Sequence, residues 1–160
     1  MSGADWSRVV AVVLVLATTG CLSDQAFDPD PTFNAGTLTA TLGFVSHNSA
    51  FVKTQVNSSG AIDVTGTGSD GRVLFLHLTP DAQVGAVTVN ASTNTYASYR
   101  QSADLLWVTD PLSDVAGVIN ITARDKKHIA GTFNLEMIPL NSVDHRYPLR
   151  VTNGAFDVQY

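Results

Sequence analysis

A chain of 160 residues is one domain's worth, and with 44% apolar and 14% charged residues it lies outside the polar, highly charged regime of disordered proteins. The charged fraction is well below the roughly one quarter typical of soluble domains, while Thr, Ser, Val, Asn and Gly recur throughout, which disfavours long helices and suits strands and turns. The 9 basic and 14 acidic side chains leave a net charge of −5, so the basic footprint that nucleic-acid binding demands is missing.

At the start of the chain, Met1 to Arg8 form a positively charged opening, Val9 to Ala17 an apolar run of 9 residues, and Thr18-Thr19-Gly20 a small-residue exit. A spanning helix needs about 20 apolar residues to cross roughly 30 Å of hydrocarbon, so this run suits the helical core of a signal peptide and not a stable span. The single cysteine, Cys21, follows directly. The arrangement resembles the bacterial lipobox, in which the signal is cut before a cysteine that receives a diacylglyceryl group. The resemblance implies that residues 1–20 are a lipoprotein signal peptide, that Cys21 is the lipidated mature N-terminus, and that the partner of this end is a membrane. Two departures stand out: Thr18 occupies a position that is usually aliphatic, and Asp5 is an acid in a region that rarely carries one. The other account of Cys21 is an ordinary buried or free thiol. Leu22 is not the aspartate that in some bacteria retains lipoproteins on the inner membrane, so the resemblance favours the outer membrane of a bacterial envelope. A lone cysteine forbids an intrachain disulfide, and the domain must be held by its core.

Residues 21–36 form the lipidated N-terminus and a flexible tether. Asp28-Pro-Asp-Pro31 favours extended, polyproline-like backbone at about 3.1 Å per residue. From residue 37 to 160 the text alternates with period 2, the signature of strands whose successive side chains point to opposite faces. The spacing predicts strands over Thr37–Phe44, Ala50–Val56, Ala61–Thr67, Arg72–Thr79, Gly85–Asn90, Thr95–Gln101, Leu105–Val108, Ala116–Ala123, His128–Met137 and Leu149–Val158. Leu74, Leu76 and Leu78 share one face of the fourth, with Val73, Phe75 and His77 on the other, as in a central or loop-covered strand. Gly68-Ser-Asp-Gly71 and Arg124-Asp-Lys-Lys127 read as hairpin turns, and Asn153-Gly154 inside the last strand most simply as a β-bulge, a hairpin turn there being the other reading, which leaves very short arms. No stretch carries the helical periodicity a parallel crossover needs. The expectation is an all-β fold, a single antiparallel β-sandwich or flattened barrel of about 8–10 strands, preceded by the signal-peptide helix and tether.

Leu38-Thr-Ala-Thr-Leu-Gly43, Ile62-Asp-Val-Thr-Gly-Thr-Gly-Ser-Asp-Gly-Arg-Val-Leu74, Ile129-Ala-Gly-Thr-Phe133 and Val151-Thr-Asn-Gly-Ala-Phe-Asp-Val-Gln-Tyr160 together resemble a family of uncharacterised small β-rich bacterial lipoproteins. The resemblance covers most of residues 37–160 and implies a lipid-anchored β-domain with no assigned activity.

Gly66-Thr-Gly68-Ser-Asp-Gly71 spells a dinucleotide fingerprint, but such a motif must open a helix, and here a strand follows. His47, His77, His128 and His145 stand singly without metal-ligand spacing, so no metal or other cofactor is expected. Ser46 and His47, adjacent on a strand, point to opposite faces. Asp110-Pro-Leu-Ser-Asp114 lacks the acid density of calcium loops. The sequons at Asn57, Asn90 and Asn120 are given no role. Tyr96, Tyr99, Arg100 and Trp107 gather aromatic faces and a guanidinium that suit stacking on a sugar or peptide, and cross-strand packing is the other account of them. The expected role is a non-catalytic binding or structural module of the envelope, its ligand an unknown envelope protein or glycan. The alternatives are an envelope hydrolase acting on glycans, for which His77 and Asp104 are the residues to substitute, and an accessory subunit of an envelope complex.

Overall fold

The computed structural model describes the backbone of residues 32–33 together with residues 35–110, 112–140 and 148–160; Cys21, the signal-like segment and most of the tether lie outside them. Its strands are β1 (Thr32–Phe33), β2 (Gly36–Leu42), β3 (Val45–Val56), β4 (Ile62–Gly68), β5 (Val73–Leu78), β6 (Gly85–Val89), β7 (Tyr96–Arg100), β8 (Leu106–Thr109), β9 (Gly117–Arg124), β10 (His128–Pro139) and β11 (Leu149–Gln159). The ten strands expected from the alternation are β2 to β11. Thr32–Phe33, in the stretch read as tether, pair with Thr54 and Lys53 of β3.

Every pairing is antiparallel, and the order β11-β2-β3-β4-β5-β7-β8-β10 closes on itself through β10 and β11 into an eight-stranded barrel. Closure selects the barrel over the sandwich. β10 is long enough to serve two neighbours on its second edge, β8 along Met137–Pro139 and β9 along Ile129–Leu135. β9 in turn pairs with β6, so the β9–β6 pair branches from the barrel wall. At one end, here the turn end, lie the tight β2–β3, β4–β5 and β7–β8 connections. The opposite end carries the β3–β4 turn, the β9–β10 hairpin and the excursion from β5 to β7 through β6, and β1 brings the chain in there.

Two bulges set which residues face inward. In β3 the register shifts between Ser49 and Phe51, so Ala50 is extra. Inward residues are therefore odd before it (His47) and even after it (Val52, Thr54). This reversal hides the first half of β3 from a strict alternation count, and the strand begins at Val45 instead of Ala50. In β11 the shift falls between Thr152 and Ala155, with Asn153 at φ 50°, as the Asn-Gly pair predicts. Val151 points inward before it, and Phe156 and Val158 after it.

A barrel of eight strands is just wide enough for side chains to fill. Leu38, Ile62, Leu74, Leu76, Leu78, Ile129, Phe133 and Met137 fill this one, all fully buried. Burying each such side chain contributes about 1.5–3 kcal/mol. Gly154 makes room for the largest of them, since a Cβ there would lie 2.3 Å from the ring of Phe133.

Candidate ligand-binding face

The register of β4, β5, β7 and β8 lays residues out in rows across the barrel wall. One row is Asp63–His77–Tyr96, the next Thr65–Phe75–Ser98–Val108, and the third Thr67–Val73–Arg100–Leu106. Directly paired residues share a face, and these rows form the outer one. The inner face of the same strands carries Val64–Leu76–Ala97 and Gly66–Leu74–Tyr99–Trp107.

On the outer face His77 Nδ1 lies 2.6 Å from Asp63 Oδ1. The His77 ring stacks on Tyr96 with centroids 4.8 Å apart and 20° between planes, and Phe75 tilts against the same tyrosine at 5.8 Å. Tyr96 keeps 46% of its surface exposed. Beside these rings a groove of about 300 Å³ is lined by Thr65, Val73, Phe75, Ser98, Arg100 and Leu106. The Arg100 side chain is exposed and makes no hydrogen bond or ion pair among the described residues. The neighbouring Arg72, by contrast, is held by Asp70 at 3.2 Å.

The four residues expected to form one ligand site are thus divided by the wall. Tyr96 and Arg100 stand outside, Tyr99 and Trp107 inside. Tyr99 is buried, edge-on to the buried His47 with centroids 6.1 Å apart. Burial pushes the Tyr99 hydroxyl above its usual value of 10.0, against the opposing charge of Arg72. His47 Nε2 lies 3.2 Å from Ser49 Oγ, and burial holds this imidazole below its usual 6.5 while Asp70 acts the other way. Trp107 packs against the core, half-buried, and its Nε1 donates to Gln101 Oε1 at 3.2 Å.

His77 and Asp104 belong to different places. His77 lies near the loop end of β5, whereas Asp104 is exposed in the β7–β8 turn beyond Arg100. About 13 Å of strand separates their rows at the least. No three His, Cys, Asp or Glu side chains converge as metal ligands among the described residues. His145 lies outside those residues, and His128 Nε2 is 2.8 Å from Asp157 Oδ1.

Several motifs find their explanation in turns. The glycine-rich stretch is the β4–β5 hairpin, where Gly68 N donates to Arg72 O, Asp70 Oδ1 accepts from Arg72 N, and Gly71 takes φ 80°. Asn57 Oδ1 accepts from the backbone of Ser59 and Ala61, and Asn90 Oδ1 from that of Ser92 and Thr93. Asp110 Oδ1 accepts from Leu112 N.

Two pairs escaped the sequence reading. Asp63–His77 was open to counting, because a hairpin centred on Ser69-Asp70-Gly71 places residue 63 opposite 77. His47–Ser49 was not, since the bulge at Ala50 hides that both face inward.

A family model described as a domain of unknown function (DUF6252) matches residues 34–158, nearly the whole barrel. The matched span begins after Cys21, so it bears on the β-domain and not on residues 1–21. No curated protein and no solved structure matches the chain.

Proposed function

We propose, for a chain that belongs to the DUF6252 family, a lipid-anchored module of the bacterial envelope that binds through the outer face of its barrel and performs no catalysis. The observation that carries the binding role is the contrast across one wall. Its inner face is sealed by Leu74, Leu76 and Leu78, while its outer face exposes Tyr96, a groove and an Arg100 side chain that is unpaired among the described residues. A half-exposed aromatic beside an uncommitted guanidinium suits a ligand that is part apolar and part polar. Anchoring rests on the leader, on Cys21 directly behind it, and on the lipobox resemblance. Two or three acyl chains on Cys21 would hold the protein firmly, at about 0.8 kcal/mol for each buried CH₂. Leu22 favours the outer membrane.

The non-catalytic reading is supported by the neighbours of His77. Its Nδ1 is taken by Asp63, and Ser98, the nearest serine by register, is not opposite it but a diagonal neighbour about 7–8 Å away, with no hydrogen bond between the two among the described residues. The hydrolase alternative draws on the same pair, because a carboxylate at Nδ1 orients an imidazole whose Nε2 would serve as the base.

The test is the intact mass and N-terminal peptide of the protein taken from its native membrane. The expected result is an acylated Cys21 with residues 1–20 absent, and an uncleaved, unlipidated chain overturns anchoring. Incubating the full chain with cell-wall glycan separates the two functional classes. Retention without released products is expected, and product release that His77→Ala abolishes while folding is kept overturns the binding role.

A further inference from the structure

Resting on the binding role just proposed, we infer that the groove of Thr65, Val73, Phe75, Ser98, Arg100 and Leu106 takes a sugar residue that carries a carboxylate, as in a glycan containing uronic acids. The first reason is size: about 300 Å³ sits at the small end of ligand pockets, which run from roughly 300 to 1,000 Å³. A single ring of a longer chain fits such a space, and the groove stays open for the chain to continue along the wall.

The second reason is the distribution of chemistry within it. Val73, Phe75 and Leu106 make an apolar floor that matches the C–H face of a pyranose. Thr65 and Ser98, on either side of Phe75 in its row, offer hydroxyls to a ring rich in hydroxyls. Arg100 lies one row from Phe75, a spacing of about 7 Å along the strand, which is the separation of a ring centre from a group just beyond its exocyclic carboxylate.

The third reason is charge. The whole protein is at −5, yet the groove itself contains a cation and no acid. Asp63 stands in the row next to that of Phe75 and is engaged by His77, Asp70 is engaged by Arg72, and Asp104, in the turn beyond Arg100, does not line the groove. Among the described residues Arg100 is therefore the guanidinium at the groove with its planar fork uncommitted, and that fork is shaped for a carboxylate.

The experiment titrates the full chain calorimetrically with an oligomer of four galacturonic acid units, with the neutral galactose oligomer of equal length, and with polyaspartate. The acidic sugar is expected to bind at least tenfold tighter than the neutral one. Arg100→Gln should remove that difference, a loss of about tenfold or more, as expected of a hydrogen bond to a charged group. Phe75→Ala should weaken both sugars by about fivefold through lost ring contact. Arg150→Gln, a cation on β11 paired with Glu136 at 3.3 Å, should leave all titrations unchanged. Circular dichroism checks that each variant keeps its strands. Equal binding of acidic and neutral sugar, tighter binding of polyaspartate than of the acidic sugar, or an acidic-sugar affinity untouched by Arg100→Gln each overturns the inference. An acylated Cys21 together with no binding of the uronic-acid oligomer sinks the ligand assignment while anchoring stands; sugar binding by an unlipidated native chain does the reverse.

Discussion

The two faces of β4, β5 and β7 are built from alternate residues of the same strands, yet they do different work. Inward, Leu74, Leu76 and Leu78 have no exposed surface at all. Outward, Val73, Phe75 and His77 are half-buried, with Tyr96 against the rings of the latter two. A wall apolar on both sides is what β5 looks like in sequence, and the structure shows that the two apolar sets are not equivalent. The inner set stabilises the fold; the outer set leaves aromatic surface available to a ligand.

The sharpest way to break this distinction is to truncate neighbours on opposite faces. Leu76→Ala should destabilise the protein by about 2–5 kcal/mol, the range for a buried leucine whose cavity relaxes only partly. Phe75→Ala, one residue away, should cost no more than about 1–2 kcal/mol, because half of its transfer term is absent in the native state. Urea unfolding of the full chain compares them, and equal losses would mean that the outer face is core as well.

A second variant probes how the interior is filled on the far side of the barrel. Gly154→Ala places a Cβ inside the ring of Phe133 and should cost about 1–3 kcal/mol through overpacking. In the background Phe133→Leu the same substitution should cost much less, so a double-mutant cycle reads a coupling between the two sites. Additive effects would show that the ring does not rely on the missing side chain.

The existence of these strands was legible because period 2 is a local signal, and ten of them follow from it. What was not legible is non-local. Closure into a barrel depends on β10 meeting both β11 and β8, and no local pattern encodes that meeting. The start of β3 was lost to a bulge that reverses parity at Ala50. The candidate site divides in the same way. Tyr96 and Arg100 are both even and Tyr99 is odd, so strict alternation along Thr95–Gln101 already separates them. Trp107 joins Tyr99 only through the register of the β7–β8 hairpin. Tyrosines and an arginine announce binding chemistry by type, whereas the face on which each stands is a matter of parity and pairing.

Within the inner face, the turn end differs from the rest in holding a polar pair, His47 and Ser49, and this difference has a pH signature. Burial holds the folded His47 below 6.5, so between 6.5 and that lowered value the unfolded chain takes up a proton that the folded chain refuses. The contribution of His47 to stability is therefore flat above pH 6.5, falls as the pH drops through this window, and levels off beneath it. His47→Gln should flatten that part of the profile. Tyr99 works in the opposite range: its raised value means that the unfolded chain loses a proton first, and stability falls as the pH rises above 10.0. Chemical denaturation at stepped pH measures both, and an unchanged acid limb in His47→Gln would show that this histidine is not what resists protonation.

The smallest expected effect tests whether the outer face is organised for stability after all. Asp63 and His77 meet at 2.6 Å on that face, and their side chains keep 29% and 16% of their surface exposed. A pair with this access to water contributes little, about 0–1 kcal/mol, because solvent screens the attraction and the rotamers must be held in place. Asp63→Asn keeps a hydrogen-bond acceptor for His77 Nδ1 and leaves the His77–Tyr96 stack in position, so unfolding should move by less than about 1 kcal/mol. A loss near that of Leu76→Ala would mean that the row Asp63–His77–Tyr96 clamps β4, β5 and β7 together. Tyr96 would then be a structural ring, and the recognition surface would shrink to Phe75 and Arg100 in the groove beside it.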